Sequence, residues 1–315
     1  MTLKEMKMIK TFCVTGNSGF IGSNLTEELL KQGYSVIGID NLATGKLSNM
    51  DSFKDHPNFR FIQDDIRNKN LHLILEGVDT IFHTAALARI QPSITNPEEY
   101  HDVNVNGTLN VLQSAIKAGV RRIVYSASSS AYGIQETMPE TEDMPPRPLN
   151  PYATQKYIGE LLMRTWANCY PIETVSLRYF NVFGKNQVLD GAYATVIGIF
   201  LQQNKEGKPL TIVGDGTQKR DITWIGDVVR ANILASQSDK VGKGEVINIG
   251  TGKNYSINEI SKIVGGENVK TISAKSRQFE VKETLADISK AKELLRWKSE
   301  VDLKTGINLL KDLTN

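Results

Sequence analysis

The sequence is poor in the residues that mark disulfide-rich, metal-binding and nucleic-acid-binding proteins. Only two cysteines, Cys13 and Cys169, and four histidines occur in 315 residues, and they form no CxxC pair or His-Cys cluster. These observations argue against a disulfide scaffold and against a metal site, and they are typical of a reducing compartment. The net charge is only +2 and no block of like charges occurs. We therefore expect neither a nucleic acid nor a membrane as a partner.

Long apolar runs are also missing. The first ten residues are rich in Lys and Met and contain no stretch that would serve as a signal peptide or a membrane span. We therefore expect a cytoplasmic protein. Hydrophobic residues make up 40% and charged residues 23% of the chain, which is ordinary for a globular protein.

What is present is an alternation of short apolar segments with helical patterns. This alternation predicts right-handed βαβ units and a doubly wound parallel sheet, hence an α/β fold. We predict one domain from residues 1–180 and 227–252, and a smaller α/β lobe from residues 181–226 and 253–315. The predicted strands of the sheet are Thr11–Thr15, Tyr34–Ile39, Phe59–Gln63, Thr80–His83, Arg122–Ser126, Glu173–Arg178 and Glu245–Ile249, and the predicted helices are Phe20–Gln32, Tyr100–Ala118, Leu161–Cys169, Asp227–Ser236 and Ile288–Leu295.

A glycine-rich segment with the spacing GxxGxxG, Gly16–Gly22, joins the first predicted strand to the first helix. The first glycine permits a tight turn, the second lets the backbone approach a pyrophosphate, and the third packs the helix on the strand. An ordinary strand–helix turn can also contain such glycines. Asp40, at the end of the second strand, favours a dinucleotide, because its carboxylate can accept hydrogen bonds from a ribose diol. The same carboxylate would repel a 2′-phosphate, so we predict NAD rather than NADP.

Tyr152 and Lys156 are four residues apart in a helical pattern and therefore share one face. Tyrosine, with an ordinary pKa of about 10, is a poor base at neutral pH. An ammonium group beside it favours the phenolate, and we predict a proton-transferring pair. A surface pair of the same spacing is the alternative. A serine cluster, Ser128–Ser130, follows a strand's carboxyl end, where open α/β sheets bind ligands.

Several motifs occur in an order that resembles one family over nearly the whole chain. They are Gly16–Gly22, HTAA at 83–86, NVNGT at 104–108, YSASSSAYG at 125–133, PYATQK at 151–156, RYFNVFG at 178–184, Arg220-Asp221 and LAD at 285–287. They resemble the extended short-chain dehydrogenase/reductases, which include the NAD-dependent nucleotide-sugar epimerases and dehydratases. The resemblance implies a Rossmann-type sheet, a UDP-sugar substrate and a homodimer formed through a helix pair.

The resemblance also implies roles for individual residues. Ser128, with Ser130 nearby, would hydrogen-bond the sugar oxygen that is oxidised, and Asn104 would lie near the nicotinamide end. Together with the catalytic Ser128, Tyr152 and Lys156, the expected cofactor-binding residues are Gly16, Gly19, Phe20, Ile21, Gly22, Asp40, Asn41, Asp65, Ile66, Ala85, Asn104, Tyr152 and Lys156. The expected substrate-binding residues are Ser128, Ser130, Asn181, Val196, Arg220, Arg277 and Thr284.

The expected reaction follows from a difference between the serine cluster and the motif of the family's dehydratases. Dehydratases of this family carry an Asp-Glu pair directly after the catalytic Ser or Thr, whereas Ser129 and Ser130 stand here. The acid and base for expelling water are therefore missing. Epimerisation remains: Tyr152 would take the proton of the sugar C4 hydroxyl, and a 4-keto sugar would be reduced on its other face by the same tightly bound NAD.

The size of the sugar depends on Thr284. Its spacing from Arg277 places it at the family's gate, where a tyrosine restricts the pocket to plain hexoses and a small residue admits an N-acetyl group. We expect interconversion of UDP-GlcNAc and UDP-GalNAc. A UDP-glucose or UDP-glucuronate 4-epimerase stays open, since uronate epimerases also carry small residues there. A nucleotide-sugar dehydratase or a non-catalytic NAD-binding protein is a more distant alternative.

Overall fold

The computed structural model describes residues 10–188, 195–275 and 281–314. Its strands are, in chain order, β1 (Thr11–Thr15), β2 (Ser35–Asp40), β3 (Phe59–Gln63), β4 (Thr80–His83), β5 (Arg122–Ser128), β6 (Glu173–Tyr179), β7 (Val182–Phe183), β8 (Leu210–Val213), β9 (Lys219–Asp221), β10 (Thr223–Trp224), β11 (Lys243–Ile249), β12 (Asn254–Ser256) and β13 (Thr271–Ala274). Its α-helices are α1 (Phe20–Lys31), α2 (Leu71–Ile74), α3 (Ile90–Thr95), α4 (Pro97–His101), α5 (Thr108–Lys117), α6 (Pro151–Cys169), α7 (Val196–Lys205), α8 (Ile225–Gln237), α9 (Ile257–Gly265), α10 (Ser289–Leu295) and α11 (Leu303–Thr314).

Seven strands form one sheet in the order β3-β2-β1-β4-β5-β6-β11, and every neighbouring pair is parallel. The chain moves outward from β1 in one direction and then returns to β4 on the other side, which is the Rossmann-type order. The α/β fold class predicted from the sequence is confirmed.

Both faces of the sheet are covered, which explains its near-continuous apolar strands. Along β1, Phe12 and Val14 pack into a core on the side of α1 and α8, whereas Cys13 between them packs with α2, α5 and α6 on the other side. Alternate residues of one strand thus stabilise two separate helical layers.

The helices α1, α8 and α10 differ from their predicted bounds by one or two residues at an end, and two other helices differ by more, in ways that affect the site. Helix α6 begins at Pro151 rather than Leu161, because the side chain of Asn150 accepts the N–H of Ala153 and Pro151 fits the first turn. The predicted helix Tyr100–Ala118 contains a π-helical turn at Asp102–Gly107 between α4 and α5. Such wide turns often occur at functional sites.

A smaller region packs around a core of its own, which contains Phe183, Phe200, Leu210, Ile260 and Leu303. Its strands form two-stranded pairs: β8 with β13, β9 with β12, and β7 with β10. Helices α7, α9 and α11 cover them. The boundaries that we gave for the two domains stay a prediction. No helix within the described part of the chain combines the length and apolar character needed to cross a membrane.

Candidate active site

A cavity of about 1310 Å³ opens where the strands of the large sheet end. Its walls come from the segments that follow β1 to β6 and from the smaller region. It lies at the point where the strand order reverses between β1 and β4, which is the position at which open α/β sheets bind ligands.

The glycine-rich loop forms one wall through close backbone contacts. Gly16 has a φ of +71°, and a Cβ there would lie 2.8 Å from the Cα of Ala85. A Cβ on Gly22 would lie 2.2 Å from the carbonyl oxygen of Gly16. Among the described residues no side chain caps α1, so its first N–H groups remain available to a phosphate beside the cavity.

Asp40 ends β2 at the same wall. Its two carboxylate oxygens accept the N–H groups of Ser18 and Leu42 at 2.9 and 2.8 Å. Burial raises the pKa of Asp40, and these two hydrogen bonds oppose the rise. Each oxygen of the ionised carboxylate can accept a further hydrogen bond, and Asp40 lines the cavity, so the carboxylate fits a ribose diol.

Asn41, Asp65 and Ile66 continue this wall beyond β2 and β3. The amide of Asn41 donates to Asp65 at 2.8 Å, and Arg67 donates to both oxygens of Asp65. The hydrogen bonds from Arg67 lower the pKa of Asp65 to about 2. With Phe20, Ile21 and Ala85 also lining the cavity, the residues present fit the adenosine and pyrophosphate parts of NAD.

Tyr152 and Ser128 meet at the centre of the cavity. The cap at Asn150 places Tyr152 in the first turn of α6, and Ser128 ends β5. Burial raises the pKa of Tyr152, while a hydrogen bond with Ser128 and the positive charge of Arg89 lower it. Ser130 donates to the Oγ of Ser128 at 2.8 Å, so the two hydroxyls form one network as expected.

Lys156 lies behind the cavity wall rather than on it. Its Nζ donates to the carbonyl oxygen of Ser126 at 2.8 Å, and the residue is 4% exposed. Burial lowers the pKa of Lys156 to about 8, and the charge of Glu160 opposes this. Ser128 and Arg89 are the groups that lower the pKa of Tyr152. The role of Lys156 in activating Tyr152 stays a prediction.

Asn104 also lies behind the wall, in the π-helical turn. Its side chain exchanges two hydrogen bonds with the backbone of Leu87 and donates to Gln155 at 3.0 Å. Asn104 thus ties the loop after β4 to α6 beside Lys156. A direct contact of Asn104 with the nicotinamide stays a prediction.

Four of the substrate-binding residues predicted from the sequence lie on the part of the cavity wall that the segment after β6 and the smaller region form. Asn181, Val196, Arg220 and Thr284 all line it. The amide of Asn181 donates to the carbonyl oxygen of Asp221 at 2.7 Å and to Thr284 at 3.3 Å. Arg277 lies outside the described residues.

Three residues that we did not predict also shape the site. Arg89 and Glu140 line the cavity, and the buried Asp221 joins the segments around Thr284. Asp221 accepts N–H groups of Thr251, Gly252 and Ala286. Arg89 lies at the end of the segment between β4 and α3, and Asp221 belongs to the Arg220-Asp221 motif, but neither had a predicted role. Glu140 had no signal, because its partners are distant in sequence.

Comparison with known proteins agrees with this geometry. Residues 12–250 match the model of the NAD dependent epimerase/dehydratase family. A putative UDP-glucose 4-epimerase of Methanocaldococcus jannaschii is 39% identical over 300 residues, which cover 93% of this chain and 95% of that protein.

Two solved structures are similar over almost the whole chain. A UDP-N-acetylglucosamine 4-epimerase from Methanobrevibacter ruminantium, in complex with UDP-N-acetylmuramic acid, has a TM-score of 0.92 and 32% identity, covering 97% of this chain and 98% of that one. A UDP-glucuronic acid 4-epimerase from Bacillus cereus was solved with a fluorinated UDP-glucuronic acid and NAD. It has a TM-score of 0.88 and 36% identity, and the match covers 96% of this chain and 99% of that one. The chain therefore belongs to the NAD dependent epimerase/dehydratase family, and it is an epimerase that uses NAD as its cofactor.

Proposed function

We propose that the protein is a UDP-sugar 4-epimerase that interconverts UDP-GlcNAc and UDP-GalNAc, with NAD held tightly between turnovers. The relatives support a UDP-sugar substrate, since those compared above are named for UDP-glucose, UDP-N-acetylglucosamine and UDP-glucuronic acid. The choice among these sugars depends on the residues at the sugar end of the cavity.

The proposed chemistry uses Tyr152 and Ser128. Tyr152 takes the proton of the C4 hydroxyl and returns it at the end of the reaction, which is general base and acid catalysis by one phenol. Ser128, hydrogen-bonded to Tyr152, holds the same sugar oxygen. Bound NAD would supply the hydride acceptor and donor that interconvert the C4 alcohol and a 4-keto sugar.

Other residues of the chain support this step, and Lys156 is proposed to favour the phenolate of Tyr152 and to hold the nicotinamide ribose of bound NAD. Lys156 fixes the end of β5 through the carbonyl oxygen of Ser126, and Asn104 holds the loop after β4. Ser129 stands directly after Ser128, where a carboxylate would be needed for dehydration. We therefore favour epimerisation over loss of water.

The observation that carries the choice of sugar is the small side chain of Thr284 in the cavity wall. Its hydroxyl accepts hydrogen bonds from Asn181 and from the backbone N–H of Asp221, at 3.3 and 3.2 Å. These bonds hold the side chain against the wall, which leaves room for an acetamido group. UDP-glucose or UDP-glucuronate is the alternative substrate.

The test is incubation of the purified protein with UDP-GlcNAc, UDP-glucose and UDP-glucuronate separately, without added oxidant. NMR of the anomeric protons identifies each product. We expect conversion of UDP-GlcNAc to UDP-GalNAc by protein that carries bound NAD. Conversion of UDP-glucuronate alone, or of UDP-glucose alone, would contradict the N-acetyl substrate while leaving the 4-epimerase in place.

We also propose a homodimer that works in the cytoplasm. Leu161 and Tyr170 are 42% and 46% exposed at α6 and its end, and a second copy would cover such apolar side chains. The exposed free thiol of Cys169 fits a reducing compartment. Light scattering of the purified protein measures its mass in solution. The mass of a single chain, which would leave Leu161 exposed, would contradict the dimer.

A further inference from the structure

The segment that follows β7, residues 184–188, is fixed on α1, and we call it the strap. Lys185 of the strap forms an ion pair with Glu27 of α1, with 2.7 Å between Nζ and Oε2. The amide of Asn24 donates to the carbonyl oxygen of Lys185 at 2.9 Å and to that of Phe20 at 2.8 Å. Because Phe20 lines the cavity, these contacts lie within two helical turns of the cavity wall.

The strap also contacts the loop that follows β2. The amide of Asn186 donates to the hydroxyl of Ser23 at 3.0 Å and to the carbonyl oxygen of Asn49 at 3.4 Å. The amide of Asn49 in turn donates to the carbonyl oxygen of Ser18, within the segment Gly16–Gly22, at 2.8 Å. Asn186 therefore joins the strap to both segments that carry the predicted NAD-binding residues of this wall.

Two other residues of the strap belong to the cavity wall. Gln187 and Val188 line the cavity, and the strap leaves the smaller region at Gly184, directly after the pairing of β7 with β10. Gly184 has a φ of +150°, and a Cβ there would overlap the side chain of Ile225. The strap is thus fixed at its origin and held against α1 beyond it. A bound molecule leaves such a cavity through local opening, which requires contacts of the wall to break.

Among the described residues, Glu27 has two lysine partners, which differ in what they join. Lys185 belongs to the strap and its side chain is 34% exposed, whereas Lys31 belongs to α1 itself and is 64% exposed. Burial raises the pKa of Glu27, but the hydrogen bonds and charges of both lysines outweigh it and lower the pKa. Loss of Lys185 breaks a contact between the strap and α1, while loss of Lys31 leaves all of these contacts in place.

We propose that the strap retains NAD: its contacts with α1 keep the cavity closed and determine the rate at which the cofactor is released. This role rests on the proposed retention of NAD between turnovers and states which contacts cause it. Lys185, Asn186, Asn24 and Glu27 act as positioning residues, because they hold the wall and not the reacting atoms. An epimerase must return the hydride to the sugar from which it came, so NAD has to stay bound for as long as the 4-keto sugar exists.

The test measures the release of NAD in the absence of any sugar. Protein loaded with radiolabelled NAD is mixed with excess unlabelled NAD, and the label that stays on the protein is followed over time. We expect Lys185→Met and Glu27→Gln each to raise the release rate about two- to fivefold, as the loss of one partly exposed ion pair gives. Adding Asn186→Gly to Lys185→Met removes further hydrogen bonds and should raise the rate about tenfold or more, since glycine also adopts the φ of +66° found at this position.

Two control variants retain the strap contacts. Lys31→Met removes only the ion pair within α1, so the release rate should stay that of the wild type. Lys185→Arg keeps the positive charge beside Glu27, and its rate should also stay close to that of the wild type. A rate in Lys31→Met as high as that in Lys185→Met would overturn the role of the strap.

Glu27→Gln separates the strap from a direct attraction between Lys185 and the phosphates of NAD. If charge alone acted, removal of a carboxylate would slow the release of an anion, whereas loss of the strap contact makes the release faster. Slower or unchanged release in Glu27→Gln would therefore overturn the proposal.

Urea unfolding of the NAD-free variants shows whether the strap contacts matter only for stability. Lys185→Met and Lys31→Met each lose one partly exposed ion pair of Glu27, so we expect similar free energies of unfolding but different release rates. Release rates that merely follow the free energies of unfolding would contradict a role in retention. A wild type that loses NAD faster than it converts a UDP-sugar would contradict the tight retention proposed above, whereas the ratio of variant to wild-type rates tests the strap itself.

Discussion

The cofactor end and the sugar end of the cavity are stabilised in different ways. At the cofactor end, the lining residues follow neighbouring strands of one sheet, and the pairing of β1 with β2 and β4 fixes their positions. At the sugar end, short segments from distant parts of the chain meet around one buried carboxylate, that of Asp221, which joins Thr251, Gly252 and Ala286. The first arrangement depends on a regular ladder, the second on a few individual hydrogen bonds.

This difference indicates which property each end controls. A sheet with both faces covered tolerates little change, so its residues set stability and the cofactor. Two-stranded pairs and single hydrogen bonds can be altered locally, which agrees with the proposed role of Thr284 in the choice of sugar. Substitutions at the two ends should therefore separate stability, chemistry and specificity.

The largest expected effect is on the rate of the chemical step, with no change in cofactor binding. Tyr152→Phe removes the proton-transferring phenol, and we expect kcat to fall by about 10²–10⁴-fold. The NAD content should remain that of the wild type, because the cofactor end is untouched. Tyr157→Phe is the control, since Tyr157 belongs to the same helix but does not line the cavity. Near-wild-type turnover of Tyr152→Phe would remove it as the base.

The next effect is on the stability of the sheet. Glu160 and Arg178 form an ion pair with side-chain exposures of only 2% and 3%. Glu160→Gln leaves the guanidinium of Arg178 buried without its counter-charge, and we expect the free energy of unfolding in urea to fall by about 3–5 kcal/mol. Glu206→Gln breaks an exposed pair with Lys208 in the smaller region and should change nothing measurable. Equal losses for both variants would refute the contrast between the two regions.

A smaller, selective effect is expected at the sugar end. Thr284→Tyr should lower kcat/KM for UDP-GlcNAc by about tenfold or more, a typical cost of a pocket that is too small, and change UDP-glucose far less. Thr284→Val keeps the size and removes the hydroxyl that Asn181 and Asp221 bind, so it separates shape from hydrogen bonding. A similar loss with both sugars in Thr284→Tyr would contradict its role as a gate.

A further expected effect is a pH dependence that arises in the sheet, small over any one pH unit. Burial is the main cause that lowers the pKa of His83 from 6.5 to about 3, with Lys156 adding to it. As the pH falls, the histidine of the unfolded chain therefore binds a proton at a higher pH than His83 of the folded protein. The contribution of the neutral, buried His83 to the free energy of unfolding is fully present above pH 6.5 and is lost as the pH falls toward 3. The expected slope is about 1.4 kcal/mol per pH unit.

Urea unfolding at several pH values in this window measures that slope. His83→Gln should have a shallower slope, whereas His101→Gln, at an exposed position of α4, should keep that of the wild type. An unchanged slope in His83→Gln would show that other groups determine the acid sensitivity.

Most of the large sheet could be predicted because its signals are local. The strands β1, β3 and β4 have the predicted bounds, because a buried parallel strand appears in the sequence as a short apolar run. The helical spacing of Tyr152 and Lys156 was recognised, but the predicted helix began only at Leu161, because a cap at Asn150 depends on one side-chain hydrogen bond rather than on periodicity. The π-helical turn at Asp102–Gly107 was missed for a similar reason: the residues themselves are ordinary helix residues.

The site was predictable to a different degree at each end. The predicted cofactor-binding residues from Gly16 to Ala85 line the cavity in the described structure, because they follow the carboxyl ends of parallel strands, which meet at one edge of the sheet. Lys156 and Asn104 proved to support the wall from behind, which spacing along a helix cannot reveal. Their contacts with a bound cofactor stay a prediction.

The sequence by itself determined the parallel sheet, the NAD loop and the Tyr-Lys pair, because each depends on neighbours within one strand, turn or helix. Only the tertiary structure decided what surrounds the sugar. It placed Arg89 near Tyr152, Glu140 beside Thr284 and Asp221 between three segments, and these contacts join residues far apart in the chain. Burial then decided their charge and hydrogen bonding, which no pattern along the sequence contains.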